Sequence, residues 1–452
     1  HMVCPFEMSL DVSNWADAVI CDYNYAFDPQ AHLKRFFSES GKGEYLFLID
    51  EAHNLVERGR EMYSASLYKE DLLEVRKLVK AEDPKLAKGL SECNQQFLEL
   101  KRECEHYQIL KSVSHIALKL MNVLSKLEDY LEECKDAEKK KRVLDFYFAV
   151  RSFLNIHDIM DENYVIFSEM MEDGRFQIKL FCVNPAVNLQ NYLEQGNSTI
   201  FFSATLLPVH YYKKLLSVEK DDYAVYAHSS FPQENKFLFI GTDVSTRYTR
   251  RGESTYQRFA RYIAVMAEQK KGNYMAFFPS YRFLEEVHTC FLECVDHEVD
   301  SICQVSYMDE EQREEFLEEF EQEREKSLVA FCVMGGIFSE GIDLTDDKLI
   351  GAVIAGTGLP QVCTEREILK QYFNVADMDG FDYAYLYPGM NKVLQSAGRV
   401  IRTESDRGVI LLLDDRFRAM RYREVFPREW QQYQLGSVKN LEQEIRTFWE
   451  SP

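Results

Sequence analysis

Two adjacent carboxylates close an apolar run: Tyr45-Leu46-Phe47-Leu48-Ile49 continues as Asp50-Glu51-Ala52-His53. Such a pair at a strand end suits nucleotide hydrolysis. One acid, Asp50, would hold a hydrated Mg²⁺ against the phosphates while the other, Glu51, orients and deprotonates the attacking water. The plainer alternative is a capped strand end, with either acid starting the next helix. Gln395, Arg399 and Arg402 follow i, i+4, i+7 spacing, which predicts one helix face after a turn at Pro388-Gly389. Two guanidiniums so placed could clamp phosphates, or make ordinary surface ion pairs. Gly398 inside that helix would cost ~1 kcal/mol, which suggests close approach to something. Gly335-Gly336 and Gly341 surround Ser339-Glu340, and Asp343 follows. Backbone amides freed by glycine cradle anions, and Asp343 could pair with ribose hydroxyls or an arginine; a plain strand-to-helix turn is the other reading. At Ser280-Tyr281 a hydroxyl could bind phosphate and a ring could stack on a base, although Tyr281 could equally be core.

These residues need strands to carry them. Runs rich in β-branched and aromatic residues recur at 18–21, 45–49, 199–202, 237–240, 274–278, 328–333, 349–355 and 409–413, separated by helix-like segments. The alternation predicts an α/β protein with two parallel-sheet units, whose ligands bind at the carboxyl ends of the strands. No Gly or Pro occurs from Leu90 through Asp173, where average usage would give about ten, so that stretch reads as helical. Within it Ile116, Leu120, Val123, Leu124, Leu127 and Leu131 mark one buried helix face. Conversely, ten of the twenty glycines fall between Gly335 and Gly408, marking a candidate site.

The length of 452 residues suggests two or three domains. No run of about 18 apolar residues could span a bilayer, so no membrane is expected. The eleven cysteines include no C-x-x-C pair, which argues against structural zinc and for a reducing compartment, the cytoplasm or, in a eukaryote, the nucleus. The formal charge of -22 excludes a uniformly basic surface but not a local basic groove. Asp309 to Lys326 holds ten acids and three bases, a solvated helix face with Phe316, Leu317 and Phe320 turned inward. Basic clusters at Lys139 to Arg142 and at Arg247, Arg250 and Arg251 read as solvated surface.

FLIDEAHN (47–54) resembles motif II, the Walker B segment, of DEAH-type helicases, and other segments match in order. ADAVICDYNYAFDP (16–29) resembles the strand and loop before motif II in the iron–sulfur helicases related to DinG and XPD. FFSATLLP (201–208) resembles motif III, MAFFPSY (275–281) motif IV, GGIFSEGIDL (335–344) motif V and QSAGRVIR (395–402) motif VI. The resemblance implies two RecA-like motor domains, the first incomplete at 1–58 and 164–232, the second at 233–452, with a helical arch-like insertion at 59–163. It implies ATP and Mg²⁺ as cofactors, and single-stranded or forked DNA as partner. It assigns Arg399 and Arg402 to the transition-state clamp, Gln395 to the γ-phosphate, and the loop of Gly341 and Asp343 to ATP. Thr205, Ser280, Tyr281 and Ser339 are assigned to the DNA strand. His53 would couple the nucleotide site to motif III at Ser203-Ala204-Thr205, unless it is a satisfied helix-start histidine.

One departure bears on activity. No G-x-x-x-x-G-K-[ST] loop occurs; Ser40-Gly41-Lys42-Gly43 lacks the spacing and the hydroxyl. In this family that loop lies upstream of motif II. His1-Met2 looks like a cloning remnant, so the natural chain is expected to begin earlier and these residues to be inactive alone. Cys4-Pro5-Phe6-Glu7 likewise resembles the segment carrying the last cysteine of a 4Fe-4S cluster, or holds an incidental cysteine. The resulting expectation is part of an ATP-dependent helicase translocating 5′ to 3′ on single-stranded DNA. The competing expectation is a nucleic-acid-binding or scaffold protein that kept the fold and lost ATPase chemistry.

Overall fold

The computed structural model describes residues 3–37, 43–339, 344 and 348–451, so Gly341 and Asp343 lie outside the described residues. The chain divides into two compact units, residues 1–203 with 213–222, and 204–212 with 223–452.

The first unit opens with helices α1 (Pro5–Ser13) and α2 (Asn24–Phe27), strand β1 (Leu46–Ile49) and helix α3 (Leu55–Met62). Then come β2 (Ala65–Tyr68), α4 (Lys69–Val79), α5 (Pro84–Glu103), β3 (Tyr107–Leu110), α6 (Ser114–Glu133) and α7 (Ala137–Ile159). Strands β4 (Tyr164–Met170) and β5 (Phe176–Cys182), helix α8 (Ala186–Leu193) and strand β6 (Ser198–Phe201) follow. Helix α9 (Val209–Leu216) runs from residues of the second unit into residues of the first. β1 pairs with β6 in parallel, Leu46 opposite Ser198 through Ile49 opposite Phe201. The strand expected at 18–21 does not form. Those residues have no ladder partner among the described residues, and Ile20 is fully exposed.

The helices of the insertion do not stand alone. β2, β5, β4 and β3 form, in that order, a four-stranded antiparallel sheet that shares one core with α4 to α7. The packed layer therefore runs on to Cys182, past the expected boundary at 163. The expected face of α6 is buried at Ile116, Leu120, Val123, Leu127 and Leu131, with Leu124 half-buried. Asp83 and Asp136 cap α5 and α7 through their carboxylates.

The second unit contains β7 (Lys236–Gly241), α10 (Glu253–Gln269), β8 (Asn273–Phe278), α11 (Tyr281–Cys294), β9 (Val299–Cys303), α12 (Glu310–Glu318) and β10 (Ser327–Val333). It continues through β11 (Gly351–Ala355), α13 (Thr364–Val375), α14 (Tyr387–Ala397), β12 (Gly408–Leu413), α15 (Met420–Arg423), β13 (Gln434–Gly436) and α16 (Val438–Glu450). Its seven strands are all parallel, in the order β13-β7-β12-β11-β8-β10-β9. The five central strands are the apolar runs expected from the sequence, as a sheet covered on both faces requires. α12 is the acidic helix, closed by a capping box between Asp309 and Gln312, with Phe316 and Phe320 buried.

Pro388-Gly389 is not a turn. A π-helical turn, Asp382–Leu386, runs directly into α14, and Pro388 sits in its first turn, where a missing N–H costs little.

Candidate functional site

In the first unit the motif II residues lie at the carboxyl end of β1. Glu51 has a φ of 46°, a left-handed conformation that costs a residue with a side chain about 1–2 kcal/mol. Two contacts hold it there. The Asp50 carboxylate accepts the Glu51 N–H at 2.7 Å, and the Tyr23 hydroxyl donates to the main-chain oxygens of Asp50 and, at 3.0 Å, Glu51. Burial first, then the nearby charges of Glu51 and Asp50, push the Tyr23 hydroxyl up to about 12, so it stays a donor at neutral pH.

The Glu51 carboxylate is exposed, and one oxygen faces Ser203 and His53. Ser203 donates to that oxygen at 3.0 Å, while His53 Nδ1 lies 2.8 Å from Ser203 Oγ and 3.3 Å from the same carboxylate oxygen. With its proton on Nδ1, the buried His53 donates to Ser203, which donates to Glu51. His53 thus touches Ser203, the first residue of the Ser203-Ala204-Thr205 segment. Thr205 itself is 95% buried rather than presented to solvent.

Asp50 is exposed, with one carboxylate oxygen committed to the Glu51 N–H. Mg²⁺ keeps several waters and takes one or two protein carboxylates beside substrate phosphates, so this site fits it. A dedicated metal cage is a different matter. Among the described residues no three His, Cys, Asp or Glu side chains converge. Cys4 is exposed before α1, and one thiolate does not hold an iron–sulfur cluster.

In the second unit the candidate residues gather at the carboxyl edge of the sheet. Ser280 caps α11, its hydroxyl accepting the Phe283 N–H at 3.3 Å. The half-buried Tyr281 hydroxyl accepts from Gln304 Nε2 at 3.1 Å, and Gln304 Oε1 accepts the Val333 N–H at 2.8 Å. Ser339 is fully buried. Its hydroxyl accepts from the Gly335 N–H at 2.8 Å and donates to the Val333 oxygen at 3.3 Å. It organises the glycine loop from within.

Only Gln395 of the three motif VI residues lies on α14. The helix ends at Ala397 with Gly398 as its cap, whose N–H bonds to the Leu394 oxygen at 2.9 Å, so Arg399 and Arg402 follow in the loop. The glycine inside a helix is thus replaced by a glycine closing one. Arg399 donates from Nε at 3.2 Å and from a terminal nitrogen at 3.0 Å to the Ser339 main-chain oxygen. The backbone of Arg402 and Thr403 donates to Asp406, at 2.7 and 2.8 Å.

α14 is positioned by backbone-to-backbone contact. Gly358 has a φ of +65°, and a Cβ there would sit 2.4 Å from the Gly389 oxygen. A Cβ on Gly389 would sit 2.7 Å from the Thr357 oxygen. One ion pair escaped the sequence reading. Asp414, fully buried after β12, accepts from the Thr246 N–H and hydroxyl, both at 2.8 Å, and pairs with Arg416 at 2.8 Å. Arg250 pairs with Asp415 at 2.8 Å and Arg251 donates to the Thr246 oxygen at 3.1 Å, so two bases of that cluster brace the loop after β7. The Asp414-Asp415 doublet after an apolar run was the available signal.

Two family models match the chain: DEAD_2 over residues 1–72 and a helicase C-terminal domain over residues 263–433. The chain is 25% identical over 428 residues to the ATP-dependent DNA helicase XPD of Sulfolobus acidocaldarius, covering 92% of this chain and 72% of that protein. It is 22% identical over 507 residues to the ATP-dependent DNA helicase CHL1 of Saccharomyces cerevisiae, covering 98% of this chain and 58% of CHL1. The chain thus spans little more than half the length of that yeast relative. Among solved structures, apo XPD superposes with a TM-score of 0.61 at 20% identity, covering 96% of this chain and 86% of the other. Xpd4 of S. tokodaii gives 0.61 at 16%, covering 92% and 81%, a likeness of fold to proteins built from RecA-like domains. With the ordered motifs, the chain is thus similar along nearly its whole length to the XPD- and CHL1-like DNA helicases.

Proposed function

We propose that this chain is part of a motor that hydrolyses ATP to move 5′ to 3′ along single-stranded DNA. Asp50 holds the magnesium ion of Mg·ATP, which offsets phosphate charge when bound. Glu51 orients the attacking water and takes its proton. His53 and Ser203 fix the carboxylate that does so, and they tie it to the segment of Thr205. Arg399 and Arg402 offset charge on the transferring phosphoryl group, Gln395 reads the γ-phosphate, and the loop of Gly341 and Asp343 contacts the nucleotide. Ser280 and Tyr281 meet the DNA strand.

The observation that carries this reading is the Glu51 carboxylate, held on a left-handed backbone and hydrogen-bonded to Ser203. The test joins these 452 residues to a phosphate-binding loop and measures ATP hydrolysis with single-stranded DNA and with RNA. Glu51→Gln is expected to lower kcat by about 10²–10⁴; undiminished turnover overturns the assignment.

One observation favours a second reading, a nucleic-acid-binding protein without ATPase chemistry: no G-x-x-x-x-G-K-[ST] occurs in these residues. On either reading the 452 residues by themselves should not turn over ATP. Turnover above a Glu51→Gln control would refute that.

A further inference from the structure

Helices α5 and α6 enclose a pit of about 250 Å³ that none of the motifs uses. Four lysines line it, Lys85 and Lys88 from α5 and Lys119 and Lys126 from α6, with the amide of Asn122 and one acid, Glu92. Spacings of i, i+3 on α5 and i, i+7 on α6 put each pair on one helix face. Gly89 lets the helices approach closely: a Cβ there would stand 3.0 Å from Val123 and 3.8 Å from the Lys126 ammonium. Lys119 is anchored by donating to the Glu92 main-chain oxygen at 3.3 Å. Among the described residues no carboxylate lies within 4 Å of any of the four ammonium groups, although the chain carries 75 acids against 53 bases. Acids pair with lysines elsewhere in this layer, Glu82 with Lys139 and Glu70 with Lys101.

Four ammonium groups against one carboxylate leave the polar pit with an excess of positive charge, which a bound anion offsets. We infer that this pit binds phosphate groups, and specifically the phosphodiester backbone of a nucleic acid strand. Lys119 and Lys126 lie about 10 Å apart along the helix axis at 1.5 Å per residue, room for more than one phosphate of a strand. No aromatic ring lines the pit, so it grips backbone without reading bases. The volume admits phosphates and sugar edges but no folded peptide segment. The inference rests on the reading that this chain handles nucleic acid. It adds a contact in the insertion that is independent of ATP and remote in sequence from every motif.

The test is fluorescence anisotropy of a labelled dT20 strand with the full 452-residue chain, without nucleotide, over a salt series. Lys88→Gln with Lys126→Gln should weaken binding several-fold and flatten the plot of log K against log salt by about 1.4, at about 0.7 per lost phosphate contact. Lys140→Gln with Lys141→Gln, equal in charge change and exposed on α7, should leave both unchanged, and melting curves should show all three chains folded. Titration with inorganic tripolyphosphate separates the sources: heat that the double variant loses, without a change in dT20 binding, assigns the pit to a free polyphosphate and overturns the strand assignment. Equal dT20 binding by the double variant, an equal loss in the α7 control, or displacement of dT20 by polyglutamate at matched charge also overturns it. The Glu51→Gln assay is untouched by these outcomes, so the motor reading and the pit fail separately.

Discussion

Gln304 and Tyr281 are hydrogen-bonded across the carboxyl edge of the parallel sheet, and through the same glutamine the loop after β8 is tied to the end of β10. The amide donates to the tyrosine hydroxyl at 3.1 Å and accepts the Val333 N–H at 2.8 Å. Replacing the amide by an isosteric apolar group leaves a main-chain donor without its partner. Gln304→Leu should therefore cost about 1–3 kcal/mol in urea denaturation, whereas Tyr281→Phe should cost no more than about 1. A neutral Gln304→Leu would show that the bridge holds nothing in place.

Ser203 stands between His53 and the general base. In the polypeptide joined to a phosphate-binding loop, Ser203→Ala should lower kcat for ATP about tenfold or more while leaving nucleotide affinity nearly unchanged, because the serine touches the carboxylate and not the phosphates. A rise in KM with kcat preserved would contradict that placement.

Asp414 offers a stability test with a pH signature. Burial works against its charge, but hydrogen bonds and the positive charge of Arg416 outweigh burial and hold the carboxyl below the ordinary aspartate range. Asp414→Ala strands the Arg416 guanidinium and should cost about 3–5 kcal/mol. The native carboxylate binds its proton less readily than the unfolded one. Its contribution is therefore complete above about pH 4 and is lost as pH falls through the lowered native value. The gap in urea midpoint between wild type and Asp414→Ala should narrow on acidification and stay level from pH 5 to 7.

Lys236 predicts the opposite end of the scale. Burial pushes its ammonium down to about 8, partly offset by the negative charge of Glu429. Between about 8 and the ordinary lysine value of about 10.4, the unfolded chain binds more protons, so stability rises with pH through that window. Lys236→Met should flatten the rise in melting temperature between pH 8 and 10; an unchanged slope would assign it to other groups.

The contact between Gly358 and Gly389 is sensitive to a single methyl group. Gly358→Ala meets both a left-handed φ and a carbonyl oxygen at 2.4 Å, so the loop or α14 must move. A loss above about 2 kcal/mol in thermal denaturation is expected, with a normal melting curve as the contrary result.

The central strands of the second unit were legible because each is buried on both faces and so must be apolar throughout. Its edges were not: Val299–Cys303 carries Asp300 and Ser301, and Gln434–Gly436 is three residues long. The sheet of the insertion was hidden for another reason. Freedom from Gly and Pro reads as helix, but Tyr107–Leu110 and Tyr164–Met170 satisfy the same rule as strands. At the site, Asp50, Glu51, His53 and Ser203 were found because each sits at a strand end in a recognisable string. Tyr23, Gln304 and Asp414 act through partners 23 to 168 positions away, which no local spacing encodes. The arginines were placed on a helix because periodicity continues past Gly398, where the backbone does not.

The grip of Arg399 on the Ser339 oxygen also sets an energetic threshold for its own use. A guanidinium hydrogen-bonded to a carbonyl is held by about 1.5–3 kcal/mol. This contact alone therefore disfavours release of the side chain by a factor of about ten to a hundred. Any anion that recruits it must supply that difference, and the anion's apparent affinity falls by the same factor. The glycine loop and the arginine are thus coupled: whatever turns the Ser339 oxygen away loosens the arm, and whatever draws the arm away loosens the loop.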